Sequence, residues 1–179
     1  MGFWTVAAMF TLVVGLLVLG VARARAGNLL TPDTQAPPFA LENQHGEVVT
    51  SEGLAGGWWV LYFYPRDDTP GCTKEACAFR DRMGELTGLG VRTLGVSFDD
   101  VASHQAFAEK YHLTFDLLSD PTGEVIGAYR ARGMLPRVAA RVSYLVDGEG
   151  TIRRVYPNVT PSEHAGEIIS DVKTLQVAP

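Results

Sequence analysis

Cysteine is nearly absent: the 179-residue chain holds two, Cys72 and Cys77. A small secreted domain stapled by disulfides carries more of them on a shorter chain, so that class is excluded. Histidine is sparse too. His45, His104, His112 and His164 are scattered, form no ligand pattern, and no C-x2-C pair exists. Zinc sites need four ligands, usually at closer spacing, so no metal is expected. Positive charge is short as well: beyond Arg23 and Arg25 stand 13 basic against 20 acidic residues, with no basic stripe. Without a stripe to follow a phosphate backbone, nucleic acid is not an expected partner. There is no internal repeat and no low-complexity tract.

What is present divides the chain. Phe3 to Ala22 is a run of 20 residues without a charge. A helix of that length spans about 30 Å, the thickness of a bilayer core. Residues 1–26 therefore read as a single hydrophobic helix, a single-pass membrane anchor inserted through residues 3–22. A cleaved signal peptide competes, because Ala24-Arg25-Ala26 has the small-x-small form of a cleavage site. Arg23 and Arg25 follow the run, which places the soluble domain on the cytoplasmic side, with the periplasm as the alternative. Residues 27–37 are polar and Pro-rich and read as a linker. Residues 38–179 are enough chain for one core.

Within that domain, Phe39–Asn43 and Glu47–Thr50 flank Gly46 as a hairpin. Trp58–Tyr64 (WWVLYFY) reads as a strand buried on both faces, ended by Pro65. Helical composition covers Thr73–Leu86, Val101–Tyr111, Pro121 to about Arg130, and Pro161–Leu175. Strands are expected at Val91–Phe98, Phe115–Leu118, Arg141–Val146 and Thr151–Tyr156, the last two around Asp147-Gly-Glu-Gly. This order predicts an α/β fold, a central sheet with helices on both faces.

The chemistry concentrates in Pro65–Cys77 (PRDDTPGCTKEAC), where a buried strand hands over to a helix. Ligands of open α/β sheets bind at such places. Thr69 suits an N-cap and Pro70 the first helical position. Cys72 then lies in the first turn, where unpaired N–H groups and the helix dipole favour thiolate over thiol. The Thr69 hydroxyl can donate to the sulfur or to a substrate oxygen. Gly71 admits a small substrate close to the backbone, where the N–H groups of Gly71 and Cys72 could hold its oxygen. Such a thiolate suits attack on an O–O bond, which leaves a sulfenic acid. Cys77 is the only other thiol that could capture it. Residues five apart on a helix have Cα atoms about 8.6 Å apart, whereas a disulfide usually needs less than about 7 Å. The first turns must unwind for the two to bond. From spacing alone a structural disulfide, inert core thiols and a metal pair remain alternatives.

Pro65-x3-Thr69-x2-Cys72 resembles the peroxidatic signature of the peroxiredoxins. The longer string YFYPRDDTPGCTKEACAFRD resembles their bacterioferritin comigratory protein, or Q-type, branch, as do Leu94–Ser97, Phe115–Asp120 and Arg141–Asp147. The resemblance implies a thioredoxin-like fold with N-terminal β-hairpin additions and no metal, haem or flavin. It implies reduction of hydrogen peroxide and organic hydroperoxides by Cys72. Cys77 would close an intramolecular disulfide, recycled by thioredoxin or a similar dithiol protein. The active-site arginine maps onto Arg141, which would stabilise the thiolate and hold the peroxide, and Pro65 would shield the sulfur. A monomer or weak dimer is the expected state. Between Tyr129 and Arg141 the chain is shorter than many members and lacks their Trp- and Gly-containing stretch. Two rivals stand beside this reading. A membrane-anchored thiol–disulfide oxidoreductase would want C-x2-C, and an anchored binding or holdase module would keep a structural disulfide.

Overall fold

Aromatic and β-branched runs alternate with helical stretches, and the chain folds accordingly. The computed structural model describes residues 29–177. In chain order the elements are β1 (Ala40–Asn43), β2 (Val48–Thr50), β3 (Trp58–Phe63), α1 (Pro70–Asp81), α2 (Met83–Gly88), β4 (Val91–Ser97), α3 (Val101–Tyr111), β5 (Asp116–Ser119), α4 (Glu124–Ala128), β6 (Val142–Val146), β7 (Ile152–Tyr156) and α5 (His164–Val177). The strands form one mixed sheet in the order β2-β1-β5-β4-β3-β6-β7. β3 lies deep in it, parallel to β4 (Leu61 opposite Leu94) and antiparallel to β6 (Leu61 opposite Tyr144).

Successive side chains of a strand point to opposite faces, so β3 feeds two cores. Leu61 and Phe63 pack with Leu94, Val96, Ile126 and Tyr144. Val60 and Tyr62 pack on the other face with Phe79 of α1, Leu117, Leu145 and Ile168 of α5. Phe79 is fully buried, which stabilises α1 against the sheet by about 1.5–3 kcal/mol.

Element boundaries differ from the expected ones for local reasons. α1 starts at Pro70, where Thr69-Pro70 placed it and ahead of the helical composition at Thr73: Thr69 is extended (φ −86°, ψ 148°) and proline occupies the first turn. It breaks at Arg82 (φ −112°, ψ 11°), and α2 carries the remainder. The helix expected from Pro121 starts at Glu124, after Gly123 at φ +72°. There Asp120 supplies the cap: its carboxylate accepts from the N–H groups of Glu124 (3.1 Å) and Ile126 (2.8 Å). The closing helix starts at His164 rather than Pro161.

Residues 29–37 run along β7. Asp33 N–H donates to the Ile152 carbonyl (2.8 Å), Ile152 N–H to Thr34 (2.9 Å) and Ala36 N–H to Gly150 (2.9 Å). The membrane-anchored, single-pass localisation expected from hydropathy is corrected: among the described residues no helix is long and apolar enough to cross a membrane. The run 3–22 that prompted it lies outside the described residues. The assignment of the domain to one side of a membrane is withdrawn with it.

Candidate active site

Two backbone facts place the site. β3 ends at Phe63, Pro65 turns the chain, and Thr69-Pro70 start α1, which brings Cys72 into the first turn. β6 pairs antiparallel with β3, with Val142 opposite Phe63. That register delivers Arg141, the residue before β6, to the same end of β3.

Cys72 is 2% exposed. Arg141 Nη2 donates to its Sγ at 3.3 Å. The other arm of the fork, Nη1, is hydrogen-bonded and ion-paired with Glu75 Oε2. Glu75 is fully buried and lies three residues after Cys72, on the same helix face. Burial pushes the Glu75 carboxyl up to about 7, against the pull of Arg141. Burial also works against the charge of Arg141, but Glu75 and Cys72 outweigh it and hold the guanidinium above its ordinary value. Gly71 leaves room for this fork, since a Cβ there would meet Arg141 Nη2 at 3.1 Å.

Cys72 shares its core cluster with Tyr62 and Phe79. Tyr62 stacks on Phe79 with ring centroids 4.8 Å apart. Burial first, then the Glu75 carboxylate, raises the Tyr62 phenol well above its usual value. His164 Nε2 shares a hydrogen bond with Ser143 Oγ (2.8 Å). Burial first, and Arg141 second, lower its pKa to about 3, so it is neutral.

The other expected residues fall as follows. Cys77 is half-buried in α1, and both cysteines are free thiols within one continuous helix. Thr69 occupies the N-cap position, and its carbonyl accepts from Thr73 N–H (2.8 Å). Its hydroxyl makes no cap bond and donates instead to the Arg66 carbonyl at 3.0 Å, not to Cys72. Pro65 and Arg66 line a cavity of about 320 Å³ with Phe98, Asp99, Ser103 and Arg137. Among the described residues no group of three or more His, Cys, Asp or Glu is placed to hold a metal ion.

Sequence reasoning passed over Glu75 and Asp67. The signal for Glu75 was its i+3 spacing from Cys72. Asp67 gave no signal, because a polar residue after Pro65 reads as loop.

A guanidinium fork at 3.3 Å and a helix start can hold negative charge on the Cys72 sulfur and on an oxygen approaching it. The AhpC/TSA family matches residues 32–155. A putative peroxiredoxin bcp of Coxiella burnetii is 43% identical over 141 residues, which cover 75% of this chain and 93% of that protein. A chloroplastic peroxiredoxin Q of Triticum aestivum is 42% identical over 144 residues, 78% of this chain but 65% of that longer protein. Among solved structures, a Xanthomonas campestris bacterioferritin comigratory protein, described for its alkyl peroxide reduction activity, superposes with a TM-score of 0.72. It is 29% identical, and the match covers 83% of this chain and 98% of that one.

Proposed function

The chain belongs to the AhpC/TSA family, within its peroxiredoxin Q branch, and is a thiol-dependent peroxidase; from that premise we propose that Cys72 is the nucleophile and Cys77 its resolving partner. The Cys72 thiolate attacks the terminal oxygen of a hydroperoxide. An S–O bond forms, the O–O bond breaks, and the departing alkoxide or hydroxide takes up a proton. Cys72 is left as a sulfenic acid. Arg141, the N–H groups at the start of α1, and the Thr69 hydroxyl once turned from Arg66, stabilise the charge on the two oxygens. Pro65 shields the sulfur, and Gly71 leaves space beside it. Cys77 then attacks the sulfenic sulfur, a disulfide forms and water leaves. A dithiol protein of the thioredoxin type returns two electrons by exchange, itself becoming a disulfide.

The observation that carries this reading is Arg141 Nη2 at 3.3 Å from Cys72 Sγ, in the first turn of a helix. Hydrogen peroxide and organic hydroperoxides are the proposed substrates, the latter supported by the alkyl peroxide reduction described for the Xanthomonas protein. A monomer or weak dimer suffices, because both thiols come from one chain. No metal, haem or flavin takes part in the proposed cycle. The thiol–disulfide oxidoreductase alternative gains no support from α1, where the cysteines stand five residues apart.

Peroxide consumption coupled to thioredoxin and its reductase tests the proposal. Cys72→Ser should abolish turnover. Cys77→Ser should consume about one equivalent at Cys72 and then stall, unless an added thiol resolves the sulfenic acid. Full activity in Cys72→Ser would overturn the assignment.

A further inference from the structure

The six residues between Pro65 and Cys72 that shape the mouth of the site include two consecutive aspartates, and both are tied to α3. Asp67 is 8% exposed, and its carboxylate is an acceptor for three side chains. The Tyr64 hydroxyl donates to Oδ1 (2.7 Å), and Ser103 Oγ (2.7 Å) and His104 Nδ1 (2.8 Å) meet Oδ2. A carboxylate only accepts, so the proton of His104 sits on Nδ1. The Asp67 N–H donates to Asp99 Oδ2 (2.9 Å), which Ser97 Oγ also holds (2.6 Å). Asp67 is thus locked to the end of β3, the end of β4 and the first turn of α3.

Asp68 adopts the left-handed conformation at φ +54°. That region strains a non-glycine backbone, aspartate being among the better tolerated. Its side chain accepts from Lys110 Nζ (2.6 Å) and the Tyr111 hydroxyl (2.5 Å), both in the last turn of α3. Adjacent residues therefore grip opposite ends of one helix. Thr69 follows directly, with its hydroxyl on the Arg66 carbonyl.

None of these contacts reaches Cys72 or Cys77. They hold the segment that precedes the turns of α1 that must open for the two thiols to bond. We infer that Asp67 and Asp68 are positioning residues that clamp the Pro65–Thr69 segment to α3, so that Pro65 and Thr69 keep their places while α1 unwinds and rewinds beyond them. The inference rests on the Cys72–Cys77 reading. The clamp acts on the peroxide step, where Thr69 and the helix start must meet the oxygen. It does not act on disulfide closure, which uses the mobile part of α1.

The test separates the two steps in the full-length chain. Stopped-flow fluorescence follows reduced protein mixed with hydrogen peroxide, and a sulfenate-trapping reagent confirms the site of oxidation by mass spectrometry. Asp68→Gly keeps the left-handed backbone and removes the clamp. Asp67→Asn sets an NH2 group against the donors of Ser103 and His104. Each should slow sulfenate formation about tenfold or more, at full reaction amplitude, and leave the rate of disulfide closure within about twofold, a span worth under about 0.5 kcal/mol of barrier. Asp68→Asn, which keeps an acceptor and tolerates the backbone, should recover most of the loss. A merely structural role would lower the amplitude, as unfolded protein, and not the rate constant. Wild-type sulfenate formation in both variants, or equal slowing of both steps, overturns the clamp. Absence of a trapped Cys72 sulfenate in Cys77→Ser protein would instead defeat the underlying reading.

Discussion

Glu75 meets Arg141 from inside the protein, with no solvent exposure. Its carboxyl ordinarily titrates near 4.5 and is pushed up to about 7 by burial. Between those values the folded chain holds a proton that the unfolded chain has lost. The stability from this group is therefore fully present below about 4.5 and is lost as pH rises through about 7. The net shift, burial less the pull of Arg141, corresponds to about 3 kcal/mol. Glu75→Gln cannot titrate. Its melting temperature should change less between pH 5 and pH 8 than that of the wild type, as scanning calorimetry would show. A variant that tracks the wild type across that window would mean that no buried proton resides at Glu75. Cys72, Cys77, Thr69 and Arg141 could all be singled out from the sequence by motif and spacing. Glu75 offered only its i+3 spacing from Cys72, and a charged residue inside a helix ordinarily marks the solvated face. Only the pairing of β6 with β3, which carries Arg141 across the sheet, makes it a buried partner.

At the scale of elements, the proposed cycle asks α1 to be both a scaffold and a moving part. Its start was legible in Thr69-Pro70: Thr69 holds the N-cap position, without a side-chain cap bond, and Pro70 opens the helix. Its break at Arg82 was not, because helical composition continues through Leu86 and the interruption is visible only in the backbone. The start of α4 was misplaced for a similar reason: the Asp120 carboxylate, not Pro121, supplies the cap. Thiols five residues apart cannot bond across an intact helix, where their Cα atoms stand about 8.6 Å apart. Hydrogen exchange should therefore show α1 amides from Thr73 to Cys77 protected in the reduced protein and exchanging at least tenfold faster once the disulfide has formed. The turn bearing Phe79 should keep more protection, since that ring is held by Tyr62, Phe115 and His164. Unchanged protection across α1 in protein shown to contain the disulfide would contradict the unwinding.

For the whole molecule, the sequence order of strands and helices announced an α/β fold but not the order of the sheet. β3 and β4 read as buried strands because apolar and β-branched residues fill them, and both lie inside the sheet. That β6 lies beside β3 depends on pairing between segments some 80 residues apart, which no local pattern encodes. The anchor was inferred from hydropathy alone, on residues outside the described part of the chain, and does not stand. The site exists only because the whole sheet brings residues 72 and 141 together. The central claim, that Cys72 is the atom peroxide oxidises, has a direct measurement. Reduced full-length protein is treated with one equivalent of hydrogen peroxide and its peptides are mapped by mass spectrometry, with a sulfenate trap added to Cys77→Ser. The account predicts a Cys72–Cys77 disulfide in the wild type and a trapped adduct on Cys72 in the variant. An unmodified Cys72 in the variant, with Cys77 oxidised at the wild-type rate in Cys72→Ser, would contradict it.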